Sequence, residues 1–175
     1  MFDTLPRIAP LAAADAADVE RLLDSAFGTD RHRRTAYRLR DGMAPLAALS
    51  LAAFDVHATL VGSLQCWPIQ LTTPTGATQP LVLVGPVAVD PSQQRQGLGR
   101  EMMARMLATA DAMDAAPQVL IGDPEYYGRF FGFSADATGA WDLPGPFERH
   151  RLLARTGGRP LPATGTLGPR IAAPA

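Results

Sequence analysis

The chain of 175 residues contains no lysine, and arginine carries its cationic side-chain charge. That absence excludes a nucleotide P-loop, whose lysine reaches the terminal phosphates. A single cysteine, Cys66, excludes an internal disulfide and suits a reducing compartment. The histidines His32, His57 and His150 stand far apart without metal-ligand spacing, so no metal cofactor is expected. No uninterrupted apolar run approaches the ~20 residues of a bilayer-spanning helix, so no membrane partner is expected. The opening Met1-Phe2-Asp3 is acidic and leads into no signal-peptide core, and a cytoplasmic location follows as the expectation. The net charge of −1 gives no global attraction to nucleic acid.

What is present suits one soluble α/β domain. An apolar content of 47% at this length is enough for a core without staples. Val19, Leu22, Leu23 and Phe27 recur at helical spacing across residues 15–27. Asp30 is placed to cap a second helix over 31–39. Residues 49–55 and 59–72 read as strands around a turn near Val56-His57, and a further strand covers 80–89. A helix over 98–113 follows, with Leu98, Met102, Met106 and Ala110 on one face. Val119-Leu120-Ile121 is a short strand, and Asp123-Pro124-Glu125 opens a helix with Asp as N-cap and Pro at the first helical position. Gly132-Phe133 leads into another strand, while residues 150–154 fit either a strand or a helical turn. From Thr156 onward Gly, Pro, Thr and Ala dominate. The expectation is a folded domain over 1–155 and a loosely held tail over 156–175.

One turn carries chemistry. The run Gln94-Arg95-Gln96-Gly97-Leu98-Gly99-Arg100 joins the 80–89 strand to the 98–113 helix. The first amides of a helix have no acceptor within it, and the helix dipole adds partial positive charge there. A phosphate finds donors and field together at such an end. Gly97 and Gly99 carry no Cβ to hold it off, and Arg95 and Arg100 can close on it from the sides. The dinucleotide fingerprint needs a third Gly and a distal acidic residue, and the spacing here does not supply them. A plain tight turn between strand and helix is the alternative reading. The pattern Gln/Arg-x-x-Gly-x-Gly/Ala, met by Gln94, Gly97 and Gly99, resembles the acetyl-CoA loop of the GNAT N-acetyltransferase superfamily.

A second segment strengthens the resemblance. Residues 118–133 read QVLIGDPEYYGRFFGF, a strand, a Tyr-bearing helix and then Gly-Phe. The Asp-Pro-x-Tyr-Tyr-Gly-Arg-Phe form is similar to the YhbS-like branch of small bacterial acetyltransferases. The resemblance covers about residues 19–153 and implies a mixed, mostly antiparallel sheet with helices on both faces and a splayed central strand pair. It implies acetyl-CoA as co-substrate and an amine acceptor. Residues Val87, Ala88 and Val89 would pair with the pantetheine arm, and Gln94 to Arg100 would hold the pyrophosphate. The oxyanion donor would be the backbone N–H of Ala88 or Val89.

The proton donor to the leaving thiolate would be Tyr127 or Tyr126, since a phenol with pKa near ~10 stays protonated at neutral pH. Tyr127 lies five residues before Gly132, one more than the family spacing, which leaves the phase of the helix open. Either ring also fits simple packing against the sheet. Asp123 is a candidate base acting through water and equally a plain N-cap. The 80–89 strand holds no ionisable side chain, so the amine would arrive neutral or lose its proton through water. Arg31, Arg33, Arg34, Arg38 and Arg40 read first as a solvated face. The sharper reading is a grip on an anionic acceptor, with Tyr37 beside it.

The expected activity is transfer of acetyl from acetyl-CoA to an amine, on a small molecule first and on a peptide second. The alternatives are an acyltransferase for longer acyl-CoA and a non-catalytic acyl-CoA sensor or subunit. A homodimer is common in the family, but no apolar stripe of the sequence marks an interface.

Overall fold

The computed structural model describes residues 4–171, except for the side chains of residues 94–96. It contains strands β1 (Arg7–Pro10), β2 (Leu51–Phe54), β3 (Leu60–Thr72), β4 (Thr78–Val89), β5 (Gln118–Ile121), β6 (Ala140–Asp142), β7 (Leu152–Arg155) and β8 (Thr164–Pro169). Helices are α1 (Ala16–Phe27), α2 (Thr35–Leu39), α3 (Leu98–Ala112) and α4 (Pro124–Phe131). The hydrogen-bonded strand order is β1-β2-β3-β4-β5-β7, with β8 on β3 and β6 on β8. Two compact units share β3 and β4 between them.

One unit holds the chain up to His32 together with Pro45–Cys66 and Gly85–Asp114. Its strands β1, β2 and the first half of β3 pair antiparallel, from Arg7↔Phe54 to Leu51↔Leu64. Helix α1 starts where expected, because the Asp15 carboxylate accepts the Ala17 amide at 2.8 Å. Its buried face of Val19, Leu22 and Leu23 packs with Ala88 of β4. Helix α3 buries Leu98, Met102, Met106 and Ala110 as the periodicity predicts, and adds Met103 and Leu107.

The other unit holds Arg33–Ala44, Trp67–Val84 and the described chain from Ala115 on. Here β4 pairs parallel with β5, and β5 pairs antiparallel with β7 from Gln118↔Arg155 to Ile121↔Leu152. The β4–β5 register covers Val82↔Gln118 and Leu83↔Val119 while β4 runs on to Val89. The core collects Leu39, Ile69, Leu71, Leu81, Leu83, Val119, Leu152 and Leu167 around Trp141. Trp141 is fully buried and its Nε1 donates to the Pro162 carbonyl at 2.8 Å.

Several expectations need correction. Asp30 does not cap a helix over 31–39: residues Arg31–Arg33 form a 3-10 turn, and α2 begins at Thr35 without a side-chain cap. Arg31 is drawn instead into ion pairs with Asp24, at 2.9 Å, and Glu20 of α1. The strand expected directly after Phe133 is a single bridge, Ser134↔Ala154, and β6 starts at Ala140. The ambiguous 150–154 segment is both things in turn, a 3-10 turn over Arg149–Arg151 and then β7.

The loosely held tail is overturned over Thr164–Pro169. Strand β8 pairs with β3 from Ile69↔Pro169 to Thr72↔Thr166 and buries Leu167. Glycine, read in sequence as loosening, here permits close approach: a Cβ at Gly165 would lie 2.8 Å from both Leu71 Cγ and the Thr72 carbonyl oxygen. Arg170 then donates to the carbonyls of Ile69, at 3.1 Å, and Leu81. Residues 172–175 of the expected tail lie outside the described residues. Among the described residues no helix is long and apolar enough to cross a membrane.

If β8 is part of the core, Leu167→Ala removes a fully enclosed side chain and costs about 2–5 kcal/mol in urea unfolding. A cost under about 0.5 kcal/mol, as for a surface change, would mean that the segment is not structural.

Candidate active site

In the first unit the functional segment runs from the end of β4 into α3. Ala88 is buried against α1, while Val87 and Val89 are half-buried, as the alternation of a strand requires. The Asp90 amide then donates to the Val61 carbonyl at 2.8 Å. Its carboxylate accepts from Ser92 N at 2.9 Å and Ser92 Oγ at 2.6 Å, opening a 3-10 turn over Pro91–Gln96. Those hydrogen bonds from the Ser92 hydroxyl and amide hold the Asp90 carboxyl below its ordinary pKa.

Gly97 ends that turn and starts α3 with φ +72° and ψ 21°, a left-handed conformation that favours glycine. Gly97, the residue at the α3 N-cap, has no side chain to cap it, and the helix's Glu101 amide donates to the Gly97 carbonyl at 3.0 Å. A Cβ on Gly97 would meet nothing within 4 Å, so there is room before the helix end. Leu98 is buried and anchors the turn, and a Cβ on Gly99 would sit 3.5 Å from Val89 Cγ2. Arg100 is exposed. Glu101, the one acidic residue of the first turn, is paired with Arg105 at 2.9 Å. Donors, dipole and space fit a phosphate group. The side chains of Gln94, Arg95 and Gln96, expected to help hold it, lie outside the described residues.

In the second unit β5 ends at Ile121 and Gly122 turns the chain into α4. The Asp123 carboxylate accepts the Glu125 amide at 3.0 Å, and Pro124 occupies the first helical position, so the expected cap is formed. Asp123 is exposed. The Tyr127 ring lies so close to Gly122 that a Cβ there would be 2.5 Å from Cε2 and 2.9 Å from Cδ2. Its carbonyl accepts the Phe133 amide at 3.2 Å, and Phe133 is buried. Tyr126 meets Tyr127 edge-on at 4.9 Å and Phe130 at 5.3 Å. The helix phase left open by the sequence therefore puts Tyr127 on the end of β5 and leaves Tyr126 among the aromatic rings of α4. Burial pushes the Tyr127 phenol above its ordinary pKa; Tyr126 and Asp123 add to that, and Arg151 opposes it.

Arg151 is a residue that sequence reasoning missed. Its carbonyl accepts the Gly122 amide at 2.9 Å, and its Nε donates to the Gly122 carbonyl at 3.4 Å. The only sequence signal was the ambiguous segment in which it lies; the contact depends on β5 pairing with β7.

The basic run is divided: Arg33, Arg34 and Arg38 are exposed, as a solvated face requires, while Arg31 and Arg40 are buried. Arg31 is 2% exposed and ion-paired, and Arg40, 8% exposed, stacks on Tyr37 at 3.9 Å and Trp67 at 4.1 Å from the ring centroids. Arg38 donates to the Pro144 carbonyl at 2.8 Å. The Arg31 partners and the Trp67 ring against Arg40 come from other segments, which a local charge count does not see. His57 lies in its turn, its amide donating to Asp55 Oδ1 at 2.9 Å. Burial pushes the Cys66 thiol up to about 12, which removes it as a nucleophile near neutral pH.

A mostly antiparallel sheet with one β4–α3–β5 crossover, an open helix end after β4 and an aromatic helix after β5 defines a GNAT-type acyltransferase. The acetyltransferase (GNAT) domain family matches residues 7–135, and the chain belongs to that family as an N-acetyltransferase. The uncharacterized N-acetyltransferase YhbS of Escherichia coli (strain K12) is 31% identical over 143 residues, covering 79% of this chain and 82% of that protein. The crystal structure of YhbS from Escherichia coli in complex with CoA matches with a TM-score of 0.73 and 25% identity, covering 95% of this chain and 90% of that one. A GNAT family acetyltransferase from Brucella melitensis in complex with acetyl-CoA shares the fold, with a TM-score of 0.67 and 24% identity over 94% of this chain and 96% of that one.

The Gly122 contact is open to test. Gly122→Ala should displace the Tyr127 ring, cost about 1–3 kcal/mol by overpacking, and alter the near-ultraviolet circular dichroism of the tyrosines. A spectrum and midpoint equal to those of the parent would refute the contact.

Proposed function

We propose that this N-acetyltransferase transfers the acetyl group of acetyl-CoA directly to a neutral amine of a small molecule. The observation that carries the reading is the left-handed Gly97 start of α3, reached from β4 through the Pro91–Gln96 turn, where a Cβ would meet nothing within 4 Å. The CoA and acetyl-CoA complexes of the two similar structures support it. In this reading the amides from Gly97 to Arg100 hold the pyrophosphate, with Gln94, Arg95 and Gln96 around it. Val87, Ala88 and Val89 run along the pantetheine arm, and the N–H of Ala88 or Val89 donates to the oxyanion.

Tyr127 is the proposed acid for the departing thiolate, because burial keeps its phenol protonated through neutral pH. Tyr126 packs against it and orients its ring. The exposed Asp123 combines the α4 cap with removal of the amine proton through water. Strand β4 carries no ionisable side chain, which favours an amine that arrives neutral. The single buried cysteine suits the reducing cytoplasm proposed for the enzyme.

The parent protein should bind acetyl-CoA and CoA in calorimetry but not ATP or NAD. Gly97→Glu places bulk and negative charge at the phosphate position and should abolish CoA binding. Gly97→Ala imposes the same backbone strain without the charge and should bind measurably. Equal binding by the parent and Gly97→Glu, with both folded, would refute the loop assignment.

Tyr127→Phe should lower kcat by about a hundredfold, the low end of acid–base contributions, with little change in acetyl-CoA affinity. A loss of turnover in Tyr126→Phe but not in Tyr127→Phe would transfer the acid role to Tyr126.

A further inference from the structure

Arg151 has no part in that mechanism, yet it is bonded to the same glycine that the proposed acid lies against. It closes the 3-10 turn Arg149–Arg151 and leads directly into β7. Its main chain accepts from Gly122 and its side chain donates to Gly122, so backbone and guanidinium are both held at one residue. The Tyr127 ring covers that residue from the position a Cβ would take. Half-buried, Arg151 cannot move its charge away without losing the Gly122 contact.

The groups acting on the Tyr127 phenol are Tyr126, on the same helix, Asp123, at its cap, and Arg151, from the turn before β7. Tyr126 and Asp123 oppose a negative charge on Tyr127, as does burial itself, and Arg151 is the one cation among the three. Arginine stays charged at any working pH, so its contribution is constant.

We propose that Arg151 is a positioning residue for proton transfer, its guanidinium fixed at Gly122 to stabilise the phenolate that Tyr127 becomes on giving up its proton. This inference rests on Tyr127 being the acid. In the step, the phenolic O–H bond breaks, its electron pair stays on oxygen, and the proton forms the S–H bond of the released thiol. The phenolate then recovers a proton from water, and the acylated amine returns one to solvent, so protons and charge balance. Without the cation, a half-buried phenolate would form beside the Asp123 carboxylate, and the transfer would slow.

The test is a spectrophotometric titration of phenolate absorbance. The chain has three tyrosines, so subtracting the Tyr127→Phe titration isolates Tyr127. Arg151→Gln should move Tyr127 ionisation to higher pH, and Arg151→Lys should restore most of the difference. In parallel, kcat of Arg151→Gln should fall about three- to tenfold, as loss of one screened charge predicts, with acetyl-CoA affinity unchanged. Because the protonated phenol is the active form, the basic limb of its kcat profile should also move to higher pH. An unmoved Tyr127 titration in folded Arg151→Gln and Arg151→Met overturns the proposal, even if turnover falls. A shifted titration combined with full turnover by Tyr127→Phe overturns the acid reading, and the role of Arg151 with it.

Discussion

The parallel register of β4 and β5, only Val82↔Gln118 and Leu83↔Val119, is the constraint on which the functional segments depend. Parallel neighbours cannot be joined by a hairpin, so the chain must cross back through a helix, here α3. Each of the two strands therefore delivers its carboxyl end into a helix start. After β4 comes the turn to Gly97 and the start of α3; after β5 comes Asp123 and the capped start of α4. The two helix ends differ in their satisfaction. The α4 end is closed by the Asp123 carboxylate, whereas the residue at the α3 N-cap, Gly97, has no side chain with which to close it.

A chain without lysine uses the guanidinium fork as a structural device. Arg170 links β8 to carbonyls of β3 and β4, Arg149 donates to the Gly139 and Trp141 carbonyls at 2.9 Å each, and Arg151 holds Gly122. Planar multi-donor geometry suits such carbonyl bonding better than a point-charge ammonium. The Arg31 ion pairs fix position more than they add stability. Its partners Glu20 and Asp24 are 55% and 40% exposed, so solvent screens the attraction while Arg31 itself still bears desolvation.

Tyr127 joins these themes. An ordinary surface tyrosine would be free to rotate away from β5; this one is confined by Gly122 behind it and Tyr126 beside it. Burial that keeps the phenol protonated also makes its anion costly, and proton donation requires that anion to form. In the acid role proposed for Tyr127, the Arg151 guanidinium held at Gly122 would offset that cost.

Capping and turn chemistry were legible in the sequence because they operate within one turn of chain. Asp123-Pro124, the Gly97 start of α3 and the face Leu98, Met102, Met106 and Ala110 all stand where local rules put them. The family followed from the same local signals at 94–99 and 118–133. Contacts set by strand register were not legible. Periodicity put Tyr127 ahead of Tyr126 but left the helix phase open until Gly122 met one ring. Composition assigned residues 164–169 to a tail until Gly165 proved to be the close contact between β8 and β3. The charge run 31–40 hid a buried, ion-paired arginine and a cation–π stack because Glu20, Asp24 and Trp67 lie elsewhere in the chain. Local hydrogen bonding thus decided where elements begin. Only tertiary pairing decided which side chains meet, because it joins residues whose separation carries no sequence signal.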